Sequence, residues 1–144
     1  MENNAQKVKL KITSIQLAGD EKSELESEYD GKLFIKDNAV HIFYRENDED
    51  KTSCAIHAKR GEVQLVRKGE TVSSKMCFEP QKVYKTVYRT AYGNMDLVIK
   101  PFKVLCAVNS GGGKIQLEYD MLLAGQRFFN SVTIYAEPVG QQKA

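Results

Sequence analysis

Hydrophobic and polar residues alternate with a period of two along almost the whole chain. In the first such run Val8 and Leu10 alternate with lysines, and a later run places Ile115, Leu117 and Tyr119 on one face. Period two is the spacing of a β-strand, whose successive side chains point to opposite faces. Gly, Asn and Asp recur between the runs, and no segment has the periodicity of a helix of three turns. The pattern predicts an all-β domain of about 8–10 antiparallel strands, in a barrel or sandwich.

The apolar residues change parity at two points. Ile12 and Ile15 lie on opposite parities, which predicts a bulge near Thr13 and Ser14. The apolar parity changes again after Pro101, where we predict a second bulge or the start of a new strand. Both irregularities would keep apolar side chains on the inner face.

Turn residues separate the runs. Asp37 and Asn38 predict a tight turn, and Gly93 and Asn94 predict another. The sequence GGGK at residues 111–114 lacks the G-x-x-x-x-G-K-[ST] pattern of a phosphate loop and precedes a strand-like run, so we predict a hairpin turn there.

The stretch VYKTVYRTAYG, residues 83–93, has two faces of different chemistry. One face alternates tyrosine with threonine, and the other alternates valine with basic residues such as Arg89. Burying a basic side chain without a partner is costly, whereas a buried tyrosine needs only one hydrogen-bond partner for its hydroxyl. We therefore expect Tyr88, Thr90 and Tyr92 to face the interior. The alternative places the valines inside and the tyrosines outside as cross-strand pairs.

Parity also brings polar side chains to the predicted interior. Tyr44 and Glu46 share the inner face of one strand, and Arg67 lies on the inner face of another. Because an inward arginine needs a partner, we predict that Arg67 pairs with Glu46. The pair either fixes strand register only, or Arg67 binds the anionic end of a small ligand inside the barrel. The candidate ligand-binding residues are the inward polar set Tyr44, Glu46, Arg67, Tyr88, Thr90, Tyr92 and Tyr119.

Size and charge narrow the function classes. The chain has 144 residues, 28% of them charged, and a net charge of +2. This length predicts one domain over 1–144, with an ordered core over about 7–137 and loose tails. The near balance of charge gives no strong field for nucleic acid, and no run is apolar enough for a signal sequence or a membrane span. We expect a cytoplasmic protein without a membrane or nucleic-acid partner, and the composition is compatible with a homo-oligomer.

The residue types that usually carry catalysis or bind metals are sparse. Cys54, Cys77 and Cys106 lie in separate runs, which predicts reduced structural thiols. The two histidines, His41 and His57, lie on the outward parity and leave a metal site short of ligands. No G-x-S-x-G elbow is present. We therefore predict no cofactor, no metal and no catalytic residue, and an enzyme is the less expected function.

Five short motifs, each present once, follow one another along the chain. They are Y-x-E at Tyr44 and Glu46, R-x-G at Arg67 and Gly69, M-x-F at Met76 and Phe78, Y-x-T-x-Y-G at residues 88–93, and a late Tyr119. Together they resemble the YwiB-like family of uncharacterised bacterial proteins over most of the chain. The resemblance implies a calycin-like β-barrel, related in shape to lipocalins, in a cytoplasmic bacterial protein, and it supplies no catalytic residues. It also implies that the tyrosines and threonine of the fourth motif face inward.

A basic outer surface supports a different function class. Basic residues occupy outward or turn positions, namely Lys59, Arg60, Lys68, Lys82, Lys85 and Arg89. A patch of this kind binds RNA or an acidic protein surface, although outward lysines also serve solubility. An interaction module is therefore the alternative to ligand binding inside the barrel.

Overall fold

The structure is a computed structural model that describes residues 5–46, 51–59 and 61–139. In these residues ten strands form a closed barrel in which every pairing is antiparallel. The strands are β1 (Gln6–Ala18), β2 (Glu21–Lys36), β3 (Ala39–Arg45), β4 (Ser53–Lys59), β5 (Glu62–Lys68), β6 (Ser73–Phe78), β7 (Tyr84–Thr90), β8 (Gly93–Asn109), β9 (Gly112–Leu123) and β10 (Gln126–Pro138). The predicted all-β antiparallel barrel is confirmed. The predicted loose tails fall largely on residues outside the described ranges.

The strands fall into two groups by length. β8, β9, β10, β1 and β2 are adjacent around the barrel and contain 12 to 17 residues each. β3 to β7 are also adjacent and contain six or seven residues each. We call these two groups the long-strand half and the short-strand half.

Inward apolar side chains from both halves meet in one core. The most completely buried are Val8, Leu10, Leu33, Ile42, Ile56, Val63, Phe78, Ile99, Ile115 and Leu117. Burying a side chain of this size contributes roughly 1.5–3 kcal/mol. The core is therefore the main source of the barrel's stability.

One joint of the barrel is much weaker than the others. β5 and β6 are aligned over their whole length, from Val63–Phe78 to Lys68–Ser73. β6 and β7 are aligned only at Ser73–Arg89 among the described residues. We call this joint the β6–β7 seam. Because backbone pairing stops there, the seam leaves an opening in the wall of the short-strand half.

The predicted bulge after Pro101 is confirmed. The alignment of β8 with β9 shifts between Pro101 and Lys103. The turn at Asp37 and Asn38 is also confirmed, because both residues have positive φ, 56° and 64°, as a two-residue hairpin turn requires.

The predicted bulge near Thr13 and Ser14 is wrong. β1 keeps one continuous register with both β2 and β10 across these residues. Gln16 lies opposite Asn130, and its Nε2 donates a 2.9 Å hydrogen bond to the Asn130 Oδ1. Because this polar pair occupies inward positions, Ile15 remains on the outer side without any shift in the strand.

Strand β7 has the predicted orientation over most of its length. Tyr88 is half-buried and its neighbour Arg89 is exposed. Tyr92, however, is fully exposed, so its predicted inward position is wrong. The turn lies at Ala91 and Tyr92 rather than at Gly93 and Asn94. The Thr90 hydroxyl closes this turn, because it accepts from the Tyr92 N–H at 3.1 Å and donates to the Gly93 carbonyl at 2.9 Å.

Candidate functional site

The predicted pair of Glu46 and Arg67 is present. The Arg67 Nη2 donates to the Glu46 Oε1 at 2.8 Å. The thiol of Cys54 lies 3.6 Å from the second carboxylate oxygen and donates to it. The side chains of Arg67 and Glu46 are 33% and 19% exposed. The pair is therefore partly buried and remains within reach of solvent.

Strand register explains how these residues meet. Tyr44, Cys54 and Arg67 are aligned across β3, β4 and β5, and all three have inward parity. Glu46 follows the end of β3, where its backbone N–H donates to the Thr52 carbonyl at 2.9 Å. This bond joins the residue after β3 to the residue before β4 and so closes the β3–β4 connection at its base. The carboxylate can thus reach across Cys54 to Arg67.

Tyr44, in register with Cys54 and Arg67, packs against a second tyrosine. The rings of Tyr29 and Tyr44 pack with centroids 5.0 Å apart. This contact depends on Gly31, because a Cβ there would lie 2.8 Å from the Phe43 carbonyl oxygen and 3.3 Å from the Tyr44 Cβ. Sequence reasoning missed Tyr29, although its parity with the buried Leu33 on β2 was a usable signal.

Burial and charge fix the protonation of the site. Burial works against the charge of Arg67, but the hydrogen bond and charge of Glu46 outweigh it and raise the pKa of Arg67. Burial, together with the charge of Glu46, raises the pKa of Cys54 to about 11. Burial also raises the pKa of Tyr44, with Cys54 adding to the effect. At neutral pH the thiol and the phenol are therefore neutral and Arg67 is cationic.

The structure brings together only part of the predicted set. Tyr88 lies close enough to Arg67 to contribute to its raised pKa. Tyr119 is buried elsewhere, edge-on to Phe78 at a centroid distance of 4.7 Å, and burial raises its pKa to about 12. Phe78 is four residues along β6 from the position aligned with Arg67, which corresponds to roughly 13 Å at strand spacing. The site thus contains Tyr44, Glu46, Arg67 and Tyr88, while Thr90, Tyr92 and Tyr119 lie outside it.

A cavity of about 500 Å³ opens at the β6–β7 seam next to Arg67. Its described lining residues are His57, Gln64, Val66, Arg67, Lys68, Ser73, Ser74, Lys75, Thr86 and Val87. Three of these are cationic, three carry hydroxyl groups, and none is a carboxylate. The Arg67 Nε is buried and has no hydrogen-bond partner in the described part of the chain. This cavity therefore gathers three cationic side chains, and one of them, Arg67, also carries a buried donor without a partner in the described residues.

A larger cavity of about 790 Å³ lies at the end of the barrel near Tyr44 and Cys54. Its rim carries both signs of charge, including Lys7 and Arg45 beside Asp30. Arg67 is absent from its described lining. The larger cavity is therefore lined by charges of both signs, whereas the described lining of the seam cavity contains cations and no carboxylate.

The described residues offer neither a cluster of metal ligands nor a membrane-spanning helix. No group of three or more His, Cys, Asp or Glu side chains there could hold a metal ion. No helix in the same ranges is long and apolar enough to cross a membrane.

Comparison with known proteins agrees with the barrel. The crystal structure of ywiB protein from Bacillus subtilis superposes with a TM-score of 0.86 at 20% sequence identity, and the match covers 94% of each chain. At this identity the likeness shows the fold alone. No curated protein matches the chain.

The family comparison is more specific. Residues 10–134 match the family described as Domain of unknown function (DUF1934). The match spans most of the chain and includes all the residues around Arg67. The resemblance to YwiB-like proteins, inferred from five short motifs, is confirmed. The chain therefore belongs to the DUF1934 family.

Proposed function

We propose that this protein binds a small anionic ligand at the β6–β7 seam, with Arg67 as the anchor. One observation carries the proposal. Arg67 lines the seam cavity and uses Nη2 for Glu46, but its buried Nε has no acceptor. A buried donor without a partner costs about 1–3 kcal/mol. A ligand acceptor would offset that cost if the Arg67 side chain turned its Nε toward the cavity.

The charges around the cavity favour an anion. Lys68 and Lys75 join Arg67 in the lining, and no carboxylate is among the described lining residues. Glu46 approaches Arg67 from one side and leaves the guanidinium edge at Nε for another group. Hydrogen bonds between a guanidinium and a carboxylate or phosphate are charge-assisted and stronger than neutral ones. A ligand with one such group would satisfy the cations that face the cavity.

The remaining lining residues suit a small molecule with polar edges. Ser74 and Thr86 place hydroxyl groups on the two sides of the seam, and Val66 and Val87 add apolar surface. The volume of about 500 Å³ lies within the range of small-molecule pockets, roughly 300–1,000 Å³. We place this function in the cytoplasm, where the free thiols Cys54, Cys77 and Cys106 would stay reduced.

The test combines ligand discovery with a matched pair of arginine variants. Native mass spectrometry of the protein purified from its source would look for a retained small molecule. In parallel, the thermal midpoint would be measured with inorganic phosphate, citrate and nucleoside monophosphates, because a ligand that binds only the folded state raises it. We expect at least one anion to stabilise the wild type.

The control is Arg127, which pairs with Asp120 at 2.6 Å but is 73% exposed on β10. Arg67→Ala should lose the stabilisation by the anion, whereas Arg127→Ala should keep it. No retained molecule together with no anion-dependent shift in the wild type would refute the proposal. An equal shift in wild type and Arg67→Ala would also refute it, because binding would then not involve Arg67.

A further inference from the structure

The outer face of β2, β3 and β4 carries four packed rings. Phe34 stacks on His41 and on Phe43, with centroids 5.1 and 5.6 Å apart and interplanar angles of 27° and 20°. His57 meets His41 and Phe43 edge-on at 5.1 and 5.8 Å. The two histidines share a hydrogen bond between their Nδ1 atoms at 2.8 Å. We call these four residues the outer aromatic patch.

Strand register continues the patch into two rows of outward residues. The first row, across β2 to β6, is Lys32, Phe43, Ala55, Val66 and Lys75. The second row, across β3 to β7, is Arg45, Ser53, Lys68, Ser73 and Arg89. Neither row contains a carboxylate. Because neighbouring strands are about 4.8 Å apart, the cations Arg45, Lys68 and Arg89 recur roughly every 10 Å across this face.

The opposite half of the barrel has a different charge pattern. There lysines and arginines alternate with acids and pair with them, as in Lys11–Glu26 at 3.4 Å and Arg127–Asp120 at 2.6 Å. The net charge of +2 therefore does not reveal that these two rows of described residues carry cations without acids. This segregation is invisible in the composition, which is why the balance of charge gave no expectation of a nucleic-acid partner.

The basic residues proposed from the sequence contribute unequally. Lys85 and Arg89 are exposed on the same face. Lys82 pairs with Glu79 at 3.4 Å and Lys59 pairs with Glu62 at 3.8 Å, so both are partly neutralised. Arg60 lies outside the described residues. The cationic face is thus centred on β3 to β7 rather than on the turns.

We propose that this face binds single-stranded nucleic acid, with bases stacked on Phe34 and Phe43 and phosphates held by the flanking cations. The aromatic and the cationic parts of such a site are both present, since Phe43 is 40% exposed beside a histidine pair. Lys32 lies directly opposite Phe43 on β2, Arg45 lies two residues along β3, and Lys75 ends the same row on β6. Aromatic rings stack on every base and therefore bind single strands without sequence preference. A polyanion recognised by charge alone would not require the rings. The site shares Lys68 and Lys75 with the lining of the seam cavity, but its anchors are Phe34 and Phe43 rather than Arg67.

The test uses fluorescence anisotropy with a fluorescein-labelled oligouridylate of 12 nucleotides at low ionic strength. We expect Phe43→Ala and Phe43→Leu to weaken binding at least about fivefold, because base stacking on one aromatic side chain contributes roughly 1–3 kcal/mol. Leucine keeps the apolar volume but removes the ring, so it separates stacking from loss of packing. The logarithm of the affinity should fall with the logarithm of salt concentration by about 0.7 per phosphate contacted.

Phe102 is the matched control. It is 52% exposed and stacks on Phe129 at 6.3 Å, but it lies on the long-strand half. Phe102→Ala should bind the oligonucleotide like the wild type. Phe43→Ala should keep the anion-dependent shift of the thermal midpoint, because Phe43 does not line the seam cavity, and this separates the two proposals. The double variant Lys32→Ala with Arg45→Ala, which spares the lining of the seam cavity, should reduce the salt slope.

Three outcomes would overturn the proposal. The first is no binding at tens of micromolar protein. The second is equal loss of binding in Phe43→Ala and Phe102→Ala. The third is that a 12-base-pair RNA duplex, heparin or phosphatidylserine vesicles bind as tightly as the single strand and are insensitive to Phe43→Ala, which would indicate attraction by charge alone.

Discussion

The five long strands and the five short strands differ in how completely they are paired and in what they enclose. In the long-strand half, β1 runs beside β10 from Val8–Pro138 to Leu17–Phe129 without a shift. In the short-strand half, β6 and β7 are aligned only at Ser73–Arg89 among the described residues. Both halves contribute apolar side chains to the core, but the Glu46–Arg67 ion pair lies in the loosely joined half. The ion pair therefore lies in the half of the barrel whose strands are incompletely paired.

The outer surfaces repeat this difference. Acidic and basic residues alternate and pair on the long-strand half, as at Lys9–Asp30 and Arg127–Asp120. On the short-strand half, the rows from Lys32 to Lys75 and from Arg45 to Arg89 contain cations without acids. Paired charges favour solubility, while unpaired charges of one sign attract a charged partner. We infer that the long strands serve as the scaffold and the short strands as the working surface.

The largest expected effect compares the same substitution in the two halves. Leu117 is fully buried on β9, and Leu65 is only partly buried on β5. Leu117→Ala should lower the free energy of unfolding by about 3–5 kcal/mol, because it removes buried apolar surface and leaves a cavity. Leu65→Ala should cost less than about 2 kcal/mol, because less apolar surface is lost from a less closed site. Denaturant unfolding measures both, and equal losses would contradict the division into scaffold and working surface.

A smaller effect compares two arginines of similar geometry. Arg67 is 33% exposed in its pair, and Arg127 is 73% exposed in its pair. Arg67→Ala leaves the partly buried Glu46 without its cation and should cost about 2 kcal/mol, between the values for exposed and fully buried pairs. Arg127→Ala should cost under about 1 kcal/mol.

A double variant sharpens the arginine comparison. Glu46→Gln removes the charge that Arg67→Met would leave uncompensated, so the double variant should be less destabilised than the sum of the two single variants. Thermal and denaturant unfolding report the three losses. If the stability losses of the two single variants simply added up in the double variant, Glu46 and Arg67 would not be energetically coupled.

The smallest effect concerns pH and the histidine pair. Burial, together with nearby His41 and Lys75, lowers the pKa of His57. The unfolded chain therefore binds a proton at His57 at higher pH than the folded protein does. Folding therefore keeps its full stability with respect to His57 above about pH 6.5, and the protein loses stability as the pH falls below that value. Thermal midpoints at pH 7.5 and 5.5 should differ more in the wild type than in His57→Gln, and an equal difference would contradict the assignment.

Parity in the sequence predicted the parts of the site that depend on one strand at a time. It placed Glu46 and Arg67 inside and paired them, and it oriented Tyr88 correctly. It failed at Tyr92 because a hydrogen-bonding side chain, Thr90, moved the turn by two residues. A tyrosine that continues a strand and a tyrosine at a turn look alike when only alternation is considered.

Other features depend on alignment between strands, which alternation alone does not determine. Phe34, His41, Phe43 and His57 come from three separate strands and form a patch only through the register of β2, β3 and β4. The partly buried Gln16–Asn130 pair likewise misled the interpretation of β1. It placed a polar residue at an inward position and made a regular strand resemble a bulged one.

The order of the strands also has a kinetic consequence. Every pairing except β1 with β10 joins strands that follow each other along the chain, so most of the wall can form from local hairpins. Closing the ring brings together Val8 and Pro138, a loop of about 130 residues, which costs roughly 4 kcal/mol of chain entropy by the (3/2)RT ln n estimate. Non-local pairings of this kind slow folding. We expect the meeting of β1 and β10 to be the late, rate-limiting step, with the long alignment between them offsetting the entropy that the ring closure removes.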